Sequence, residues 1–406
     1  MKTTIEINSF SKEIRKQQEI LAKISESNHP LVRRLVAMNR NTSIETLAKL
    51  AEDSATIVKT AVAINQNTPA KTLAQLAEDS FRKDDVARNP STSVETLAKL
   101  AEDSFFGIRA SVAENPHTSS KTLAKLAKDN VYVQQYVAKN PNTPSEVLIS
   151  LAKDSFFKLT AIANPNMPVE ELELLAKSSE KKVLISVAEN PSTPQKFLTS
   201  LAENFSYEVR AAVAKNPNAP IKLLLSLAED NRDSVKAAVA GSPNVTVEIL
   251  TSLAKNSSYV VRVAVAKNPK TPVEILSLLV KDFIPKSKYE FFWVNLDIAS
   301  HPNVSEEILY QFSSDHWFLL RSSVADSKKA SENVLNMLSR DRSSWVRDSV
   351  ARNPKTPQKN LEDLAYDKDY LVRFGVATNP NTPNHIVSML LNDNCKMLNE
   401  VAPQKY

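Results

Sequence analysis

Hydrophobic and polar residues follow a repeating pattern with a period of about 26 residues. The phrase Val-Ala-x-Asn-Pro recurs along nearly the whole chain, and its Asn position serves as an anchor. Fourteen anchors occur, at positions 39, 65, 89, 115, 140, 164, 190, 216, 242, 268, 301, 327, 353 and 379. Eleven are Asn, and the other three are Ser242, His301 and Ser327. Successive anchors are 24 to 26 residues apart, except for a spacing of 33 between Asn268 and His301. Such regular self-similarity is typical of a repeat protein.

Each period predicts two short helices. Helix A carries a Leu-x-x-Leu-Ala stripe that begins after Thr-Pro or Thr-Ser, as in Thr271–Leu279. We interpret the Thr as the N-cap and the Pro as the first helical residue. Helix B is the segment Val-Arg-x-x-Val-Ala before the anchor, and its length of about nine residues predicts that it is partly 3₁₀. The Asn-Pro that follows ends it.

Neither helix can bury its apolar face alone, so neighbouring repeats must stack. The sequence therefore predicts an all-α fold, an α-solenoid of about fourteen two-helix repeats of 24–26 residues. The predicted organisation is an N-terminal capping helix in 1–30, a repeat array in 31–280 and an aromatic-rich insertion in 281–300. The array continues in 301–383, and a C-terminal cap occupies 384–406.

The repeat unit resembles that of the leucine-rich repeat variant family, with HEAT repeats as more distant relatives. The resemblance rests on Leu-x-x-Leu-Ala-x-Asp followed by Val-Arg-x-x-Val-Ala-x-Asn-Pro, and it covers roughly residues 31 to 391. It implies a right-handed superhelix in which an α-helix alternates with a shorter, often 3₁₀, helix. Some family members carry an N-terminal iron–sulfur module, but the first thirty residues here contain no Cys, so no cofactor is expected.

Composition narrows the range of functions. Only 3 Gly accompany 22 Pro, and 19 of the prolines lie at predicted helix boundaries, so no glycine-rich phosphate loop can form. A single Cys and five scattered His give no metal-ligand spacing, and we expect no metal and no catalytic residue. The N-terminus has no apolar signal segment, and no stretch is apolar enough to span a membrane, so a cytoplasmic location is expected.

Charged residues recur in a ladder. A basic residue lies six before the anchor in eleven repeats, and an acidic residue often precedes it by a further six. Paired charges on a repeating frame neutralise each other, so we interpret them as structural links between repeats rather than as a phosphate-binding stripe. The predicted ladder residues are Asp53, Lys59, Asp103, Arg109, Asp230, Lys236, Asp315, Arg321, Asp341, Arg347, Asp367 and Arg373.

Aromatic residues concentrate near the one long spacing. All three Trp fall within 53 residues, and the insertion itself is rich in Phe and Tyr. Insertions in repeat proteins often form the binding face, although these rings could also fill an irregular core junction. The partner-binding candidates are Tyr289, Phe291, Phe292, Trp293, Trp317 and Trp345.

Three functions are consistent with these features. The first is a non-enzymatic scaffold that binds another protein, which the variable residues before the anchors favour. The second is a nucleic-acid-binding HEAT-like protein acting on damaged bases, for which Trp317, Trp345 and Asp315 would line the groove. The equal numbers of acidic and basic residues in 281–406 weigh against it. The third is a repeat-scaffold enzyme that modifies a protein or prosthetic group. The oligomeric state is left open.

Overall fold

Every element in the described part of the chain is an α-helix, and no strand occurs there. The computed structural model describes residues 18–78, 83–281 and 288–390, without the side chains of 288–292. The chain divides into two units, Met1–Phe197 (unit 1) and Leu198–Tyr406 (unit 2). We number the helices along the chain so that even numbers are A helices and odd numbers are B helices.

Unit 1 holds thirteen of the numbered helices. They are α1 Pro30–Met38, α2 Ile44–Leu50, α3 Thr56–Ile64, α4 Ala70–Glu78, α5 Lys83–Arg88, α6 Val94–Leu100, α7 Phe106–Glu114, α8 Ser120–Leu126, α9 Val131–Lys139, α10 Ser145–Ala152, α11 Lys158–Ala163, α12 Val169–Leu175 and α13 Lys181–Glu189. Residues 18–24, which belong to the predicted N-terminal cap, are also helical, whereas 1–17 lie outside the described residues. Helix α14 (Gln195–Leu201) contains the division between the units.

Unit 2 repeats the same alternation. Its helices are α15 Tyr207–Lys215, α16 Ile221–Ala228, α17 Asp233–Ala240, α18 Val247–Ala254, α19 Tyr259–Lys267, α20 Val273–Lys281, α21 Lys288–Ala299, α22 Glu306–Phe312, α23 Phe318–Asp326, α24 Glu332–Leu338, α25 Ser344–Arg352, α26 Gln358–Leu364 and α27 Tyr370–Thr378. Residues 384–390 of the predicted C-terminal cap are helical, and 391–406 lie outside the described residues.

Within each unit, successive B helices pack side by side, and each also packs on a neighbouring A helix. The Leu pairs of the A helices, such as Leu97 and Leu100 or Leu123 and Leu126, are almost fully buried, as is the residue three before each Asn anchor, which is Val except for Ala161. Burying one Leu side chain stabilises the fold by about 2 kcal/mol. The predicted all-α fold of stacked two-helix repeats is confirmed.

The B helices differ from the prediction in one respect, because in the described residues they are α-helical rather than partly 3₁₀. Most span nine residues and are longer than their A partners. Bonds of the 3₁₀ type occur at the C-terminal ends: the Asn65 N–H donates to the carbonyls of both Ala61 and Val62, and the Asn39 N–H to that of Val36. The stacked neighbours supply the burial that an isolated nine-residue helix lacks, so the α-helical form is stable.

The start of the A helices also differs from the prediction. The Thr three residues after the anchor is buried, and its hydroxyl donates to the last turn of the preceding B helix, as from Thr118 to the Val112 carbonyl at 2.5 Å. The cap is therefore the next residue: Ser119 Oγ accepts the Thr122 N–H at 3.2 Å. In other repeats Pro occupies this N-cap position, and the residue after it is the first helical residue, as Ser145 is after Pro144.

The predicted insertion, 281–300, is built around the longest B helix of the described residues. Helix α21 has 12 residues, and its second half is packed inward through Val294, Ile298 and Ala299. Residues 282–287 lie outside the described part of the chain.

Candidate functional site

The anchor Asn side chains form a continuous internal ladder from Asn65 to Asn190 in unit 1, and in unit 2 Asn268, Asn353 and Asn379 make the same kind of bond to the preceding repeat. Asn140 is representative: its Nδ2 donates to the carbonyls of Ala113 and Asn115 in the preceding repeat, at 2.7 and 2.9 Å. Its Oδ1 accepts the N–H of Asn142, two residues further on, at 2.9 Å. Each Asn thus satisfies carbonyl groups at the end of one B helix and fixes the turn that follows the next.

At the anchor position 301, a His side chain replaces the Asn. His301 is buried, its Nε2 lies 2.8 Å from the Asn268 carbonyl, and its Nδ1 lies 3.0 Å from the N–H of Asn303. A carbonyl must face a donor and an N–H must face an acceptor, so the ring carries its proton on Nε2. The imidazole Nε2–H therefore takes the place of the Asn Nδ2 donor, and its Nδ1 takes the place of the Asn Oδ1 acceptor.

The replacement His301→Asn is therefore expected to keep the stability within about 1 kcal/mol, because the carboxamide can make the same bonds. The replacement His301→Ala is expected to cost about 2 kcal/mol, since it leaves a buried carbonyl and an N–H without partners. Urea denaturation of the two variants measures the difference. Equal losses would show that the ring contributes only packing.

The charged ladder forms its ion pairs between adjacent repeats. Arg321 Nε lies 2.6 Å from Asp341 Oδ2, twenty residues ahead in the next repeat. Its Nη1 donates to the main-chain oxygen of Asp315, six residues behind, rather than to the carboxylate. The Asp315 carboxylate instead accepts the Trp317 N–H at 2.8 Å. The Asp of each repeat therefore faces the basic residue of the repeat before it.

The same register holds wherever both partners are described. The ion pairs are Arg33–Asp53, Lys83–Asp103, Arg109–Asp129, Arg210–Asp230, Arg321–Asp341 and Arg347–Asp367. Within a repeat, the Arg donates to the main-chain oxygen of the Asp six residues before it, as Arg109 Nη1 does to Asp103 and Arg373 Nη1 to Asp367, both at 2.7 Å. Spacing within one repeat could not reveal a partner in the next.

The ladder keeps its carboxylates ionised. The hydrogen bond from Arg109 lowers the pKa of Asp129 below its ordinary value, against a smaller opposing effect of burial. The bond from Lys83 likewise lowers the pKa of Asp103. Most basic positions of the ladder are thus engaged in the framework and are not offered to a phosphate ligand.

The three Trp residues lie on successive B helices of unit 2 and form what we call the tryptophan row: Trp293, Trp317 and Trp345. Trp293 on α21 and Trp345 on α25 each lie eight residues before their anchors, and Trp317 directly precedes α23. Their exposed fractions are 54%, 38% and 61%. Helix α21 packs against α23 and α23 against α25, so the three residues lie on or beside adjacent helices: Trp293 in the middle of α21, Trp317 at the N-cap of α23 and Trp345 at the start of α25. Sequence analysis had selected these three residues, and the structure brings them onto neighbouring elements.

The surroundings of the row carry both signs of charge. Arg352 forms an ion pair with Asp348 at 3.0 Å, and its guanidinium lies 5.7 Å from the centre of the Phe374 ring. Ser322 Oγ and Ser349 Oγ are 2.7 Å apart and join α23 to α25. Burial of its carboxyl group raises the pKa of Asp326, and the nearby Asp348 adds to that rise. The surface is mixed rather than cationic.

The other predicted aromatic candidates fall largely outside the described residues. Tyr289, Phe291 and Phe292 lie in helix α21, but their side chains are not described. Their assignment to a binding face stays a prediction.

Sequence analysis missed a second set of exposed aromatic residues, in unit 1. Phe105, Phe106, Tyr132 and Phe156 lie eight to ten residues before their anchors, as the tryptophan row does. All four are at least 40% exposed, and the rings of Phe106 and Tyr132 are 5.5 Å apart. The register relative to the anchor was the signal that could have identified them.

The described residues contain no group of three His, Cys, Asp or Glu arranged to hold a metal ion. None of the helices described is both long and apolar enough to cross a lipid bilayer.

Comparison with known proteins gives a family match for part of the chain. Residues 184–243 match the model of the Leucine Rich Repeat Variant domain. One similar solved structure is described as a leucine-rich repeat variant with a novel repetitive structural motif; it is 22% identical, with 56% of this chain and 82% of that chain covered and a TM-score of 0.30. A second is an engineered protein, 15% identical, with coverage of 88% and 96% and a TM-score of 0.17. No match was found among curated proteins.

Proposed function

We propose that this chain, whose residues 184–243 are repeats of the leucine-rich repeat variant family, is a scaffold that binds another protein through the tryptophan row of unit 2. The observation that carries the proposal is the placement of Trp293, Trp317 and Trp345, each more than one third exposed, on three adjacent B helices.

The physical argument begins with the cost of exposing large rings. Tryptophan buries more apolar area than any other side chain and is enriched among residues whose truncation weakens protein complexes most. Phe318 and Leu319, which follow Trp317 at the start of α23, are also exposed and add to the apolar surface of this helix. A contiguous apolar patch on a soluble surface marks an interaction site.

The polar groups beside the row favour a protein partner. Asp348 and Arg352 already neutralise each other, and Arg342 contacts the His316 carbonyl at 3.4 Å. A nucleic acid requires an excess of cations along its backbone, whereas protein interfaces combine an aromatic centre with a mixed polar rim. The framework ladder also engages Arg321 and Arg347 with carboxylates.

The combined replacement of Trp293, Trp317 and Trp345 by Ala is expected to abolish partner binding while the melting temperature changes little. A central Trp contributes about 2 kcal/mol or more to such a complex, which is roughly 30-fold in affinity per residue. The measurement is affinity purification from the native cell with mass spectrometry, followed by titration of the recovered partner against wild type and variant.

The matched control replaces Tyr310 and Tyr366 by Ala. These aromatic residues are 61% and 73% exposed but lie on or directly after A helices. The control should retain the partner. Recovery of the same proteins by wild type and the Trp variant would refute the proposal, and a steep loss of binding with salt would instead identify a nucleic acid.

A further inference from the structure

The residue eight before the anchor is apolar and exposed in four successive B helices of unit 2. We call these residues the apolar stripe: Val260, Trp293, Leu319 and Trp345. Each of them is at least 41% exposed. Their helices α19, α21, α23 and α25 pack side by side, so the stripe presents one apolar side chain per repeat. In the preceding helices α15 and α17 the same position holds Glu208 and Ser234, so the stripe begins at α19.

One edge of the stripe is acidic. One or two helical turns after the stripe residue, α21, α23 and α25 carry Asp297, Asp326 and Asp348 on the same helix face. Lys267 lies 3.8 Å from Asp297, and Arg352 lies 3.0 Å from Asp348. Burial of its carboxyl group raises the pKa of Asp326, although the charge of Arg352 opposes this rise. A further cation beside Asp326 would therefore stabilise its ionised form.

The spacing of the stripe selects the conformation of its occupant. Packed helices lie about 8–10 Å apart, so the four stripe residues extend over about 25–30 Å. Polyproline II has three residues per turn and a rise of about 3.1 Å per residue, so every third side chain faces the same way at intervals of about 9 Å. Each third side chain of such a segment can therefore contact one stripe residue.

Two other kinds of occupant fit this surface less well. An α-helix along the stripe would cross the parallel B helices nearly at right angles, which is among the rarer packing geometries. A β-strand needs a sheet edge, and no strand occurs in residues 18–78, 83–281 and 288–390. Surfaces lined by aromatic rings, in contrast, bind proline-rich segments. Tyr259 and Phe318 directly precede two stripe residues, are 40% and 39% exposed, and add rings along the other edge.

We propose, building on the proposed function, that the apolar stripe binds a proline-rich segment of the partner in the polyproline II conformation, with a basic residue of the segment directed toward Asp326. Every third residue of the segment, apolar or proline, packs on one stripe residue. The indole N–H of Trp345 can donate to the carbonyl groups of the segment, because polyproline II leaves them without internal hydrogen bonds.

The test measures binding of labelled synthetic peptides to the full chain by fluorescence anisotropy. The probe has about twelve residues, repeats Leu-Pro-Pro and ends in Arg, so that its Leu residues match the stripe. A peptide of the same composition with its Leu residues adjacent should bind about tenfold more weakly, since its side chains cannot all reach the stripe. Trp345→Ala and Leu319→Glu should each weaken binding of the probe by about tenfold or more.

Two controls make the result specific. Ser234→Glu places the same charge as Leu319→Glu at the same position of α17, where the residue is exposed but lies outside the stripe, and it should bind the probe as wild type does. Asp326→Asn should weaken binding of the probe by about two- to fivefold and leave a probe that ends in Gln unchanged, because only Arg brings a cation. Thermal melting checks that all variants are folded.

The outcomes distinguish this segment from the scaffold function itself. A wild type that binds the probe and the rearranged peptide equally, or binds neither, would overturn the proposal. Tighter binding of a helical peptide with Leu at every seventh residue would overturn it too, because a helix would then be the occupant. If the triple Trp variant loses the partner but no proline-rich peptide binds wild type, the scaffold function stands and the polyproline II segment is refuted.

Discussion

Replacing Asn140 by Ala is expected to lower the free energy of unfolding of unit 1 by about 3–5 kcal/mol, because two buried carbonyls and one partly buried N–H lose a partner at once. They are the carbonyls of Ala113 and Asn115 and the N–H of Asn142. Asn140 is only 2% exposed, so water cannot replace these bonds without opening the repeat. Urea denaturation gives the loss, and hydrogen exchange at Ala113–Asn142 shows whether it is local.

The controls separate hydrogen bonding from packing. Asn142 also bridges repeats, with its Nδ2 2.6 Å from the Pro116 carbonyl, but this bond is exposed, so Asn142→Ala should cost no more than about 1 kcal/mol. Asn140→Asp keeps the acceptor for the Asn142 N–H but places a second oxygen against two carbonyls, and it should be at least as harmful as Ala. An Asp variant as stable as wild type would contradict the ladder.

The periodic part of the fold was predictable from the sequence, because period and boundary residues repeat fourteen times. Asn-Pro ends helix B wherever it occurs, and the Leu pair defines the buried face of helix A. Finer features depend on neighbours in space. Thr118 was expected to cap the helix that follows it, but its hydroxyl meets the Val112 carbonyl behind it. The α-helical form of the B helices likewise reflects stacking, which no nine-residue window contains.

The candidate site, too, was predictable from the sequence only in part. The clustering of all three Trp near the one long spacing was enough to select Trp293, Trp317 and Trp345, whereas their exposure could be read only from the structure. The ladder was predicted to link repeats, but its partners could not be assigned from the sequence: Asp315 is the nearest acidic residue before Arg321, while the ion-pair partner of Arg321 is Asp341 in the next repeat.

Replacing Arg321 by Ala is expected to lower the free energy of unfolding of unit 2 by about 3–5 kcal/mol, because it leaves the Asp341 carboxylate buried without its countercharge. The side chains of the two residues are only 5% and 8% exposed. The double variant Arg321→Ala/Asp341→Ala should lose less than the two single variants together, since neither charge is then left alone. Lys49→Ala removes a pair with Glu26 that is about two thirds exposed on both sides, and it should cost under about 1 kcal/mol.

The pH dependence gives the same pair an independent signature. Burial raises the pKa of Asp341, but the hydrogen bonds from Arg321 and the Ser343 N–H outweigh burial, and the pKa lies below its ordinary value. A carboxylate with a lowered pKa in the folded state contributes stability that is fully present above its unfolded pKa of about 4 and is lost as the pH falls through the folded value. Wild type should therefore lose stability below about pH 4 more steeply than Asp341→Asn, in urea titrations at several pH values. If both proteins lost stability equally as the pH fell, Arg321 would not lower the pKa of Asp341. The ladder between repeats would then have to stabilise the stack through its hydrogen bonds alone.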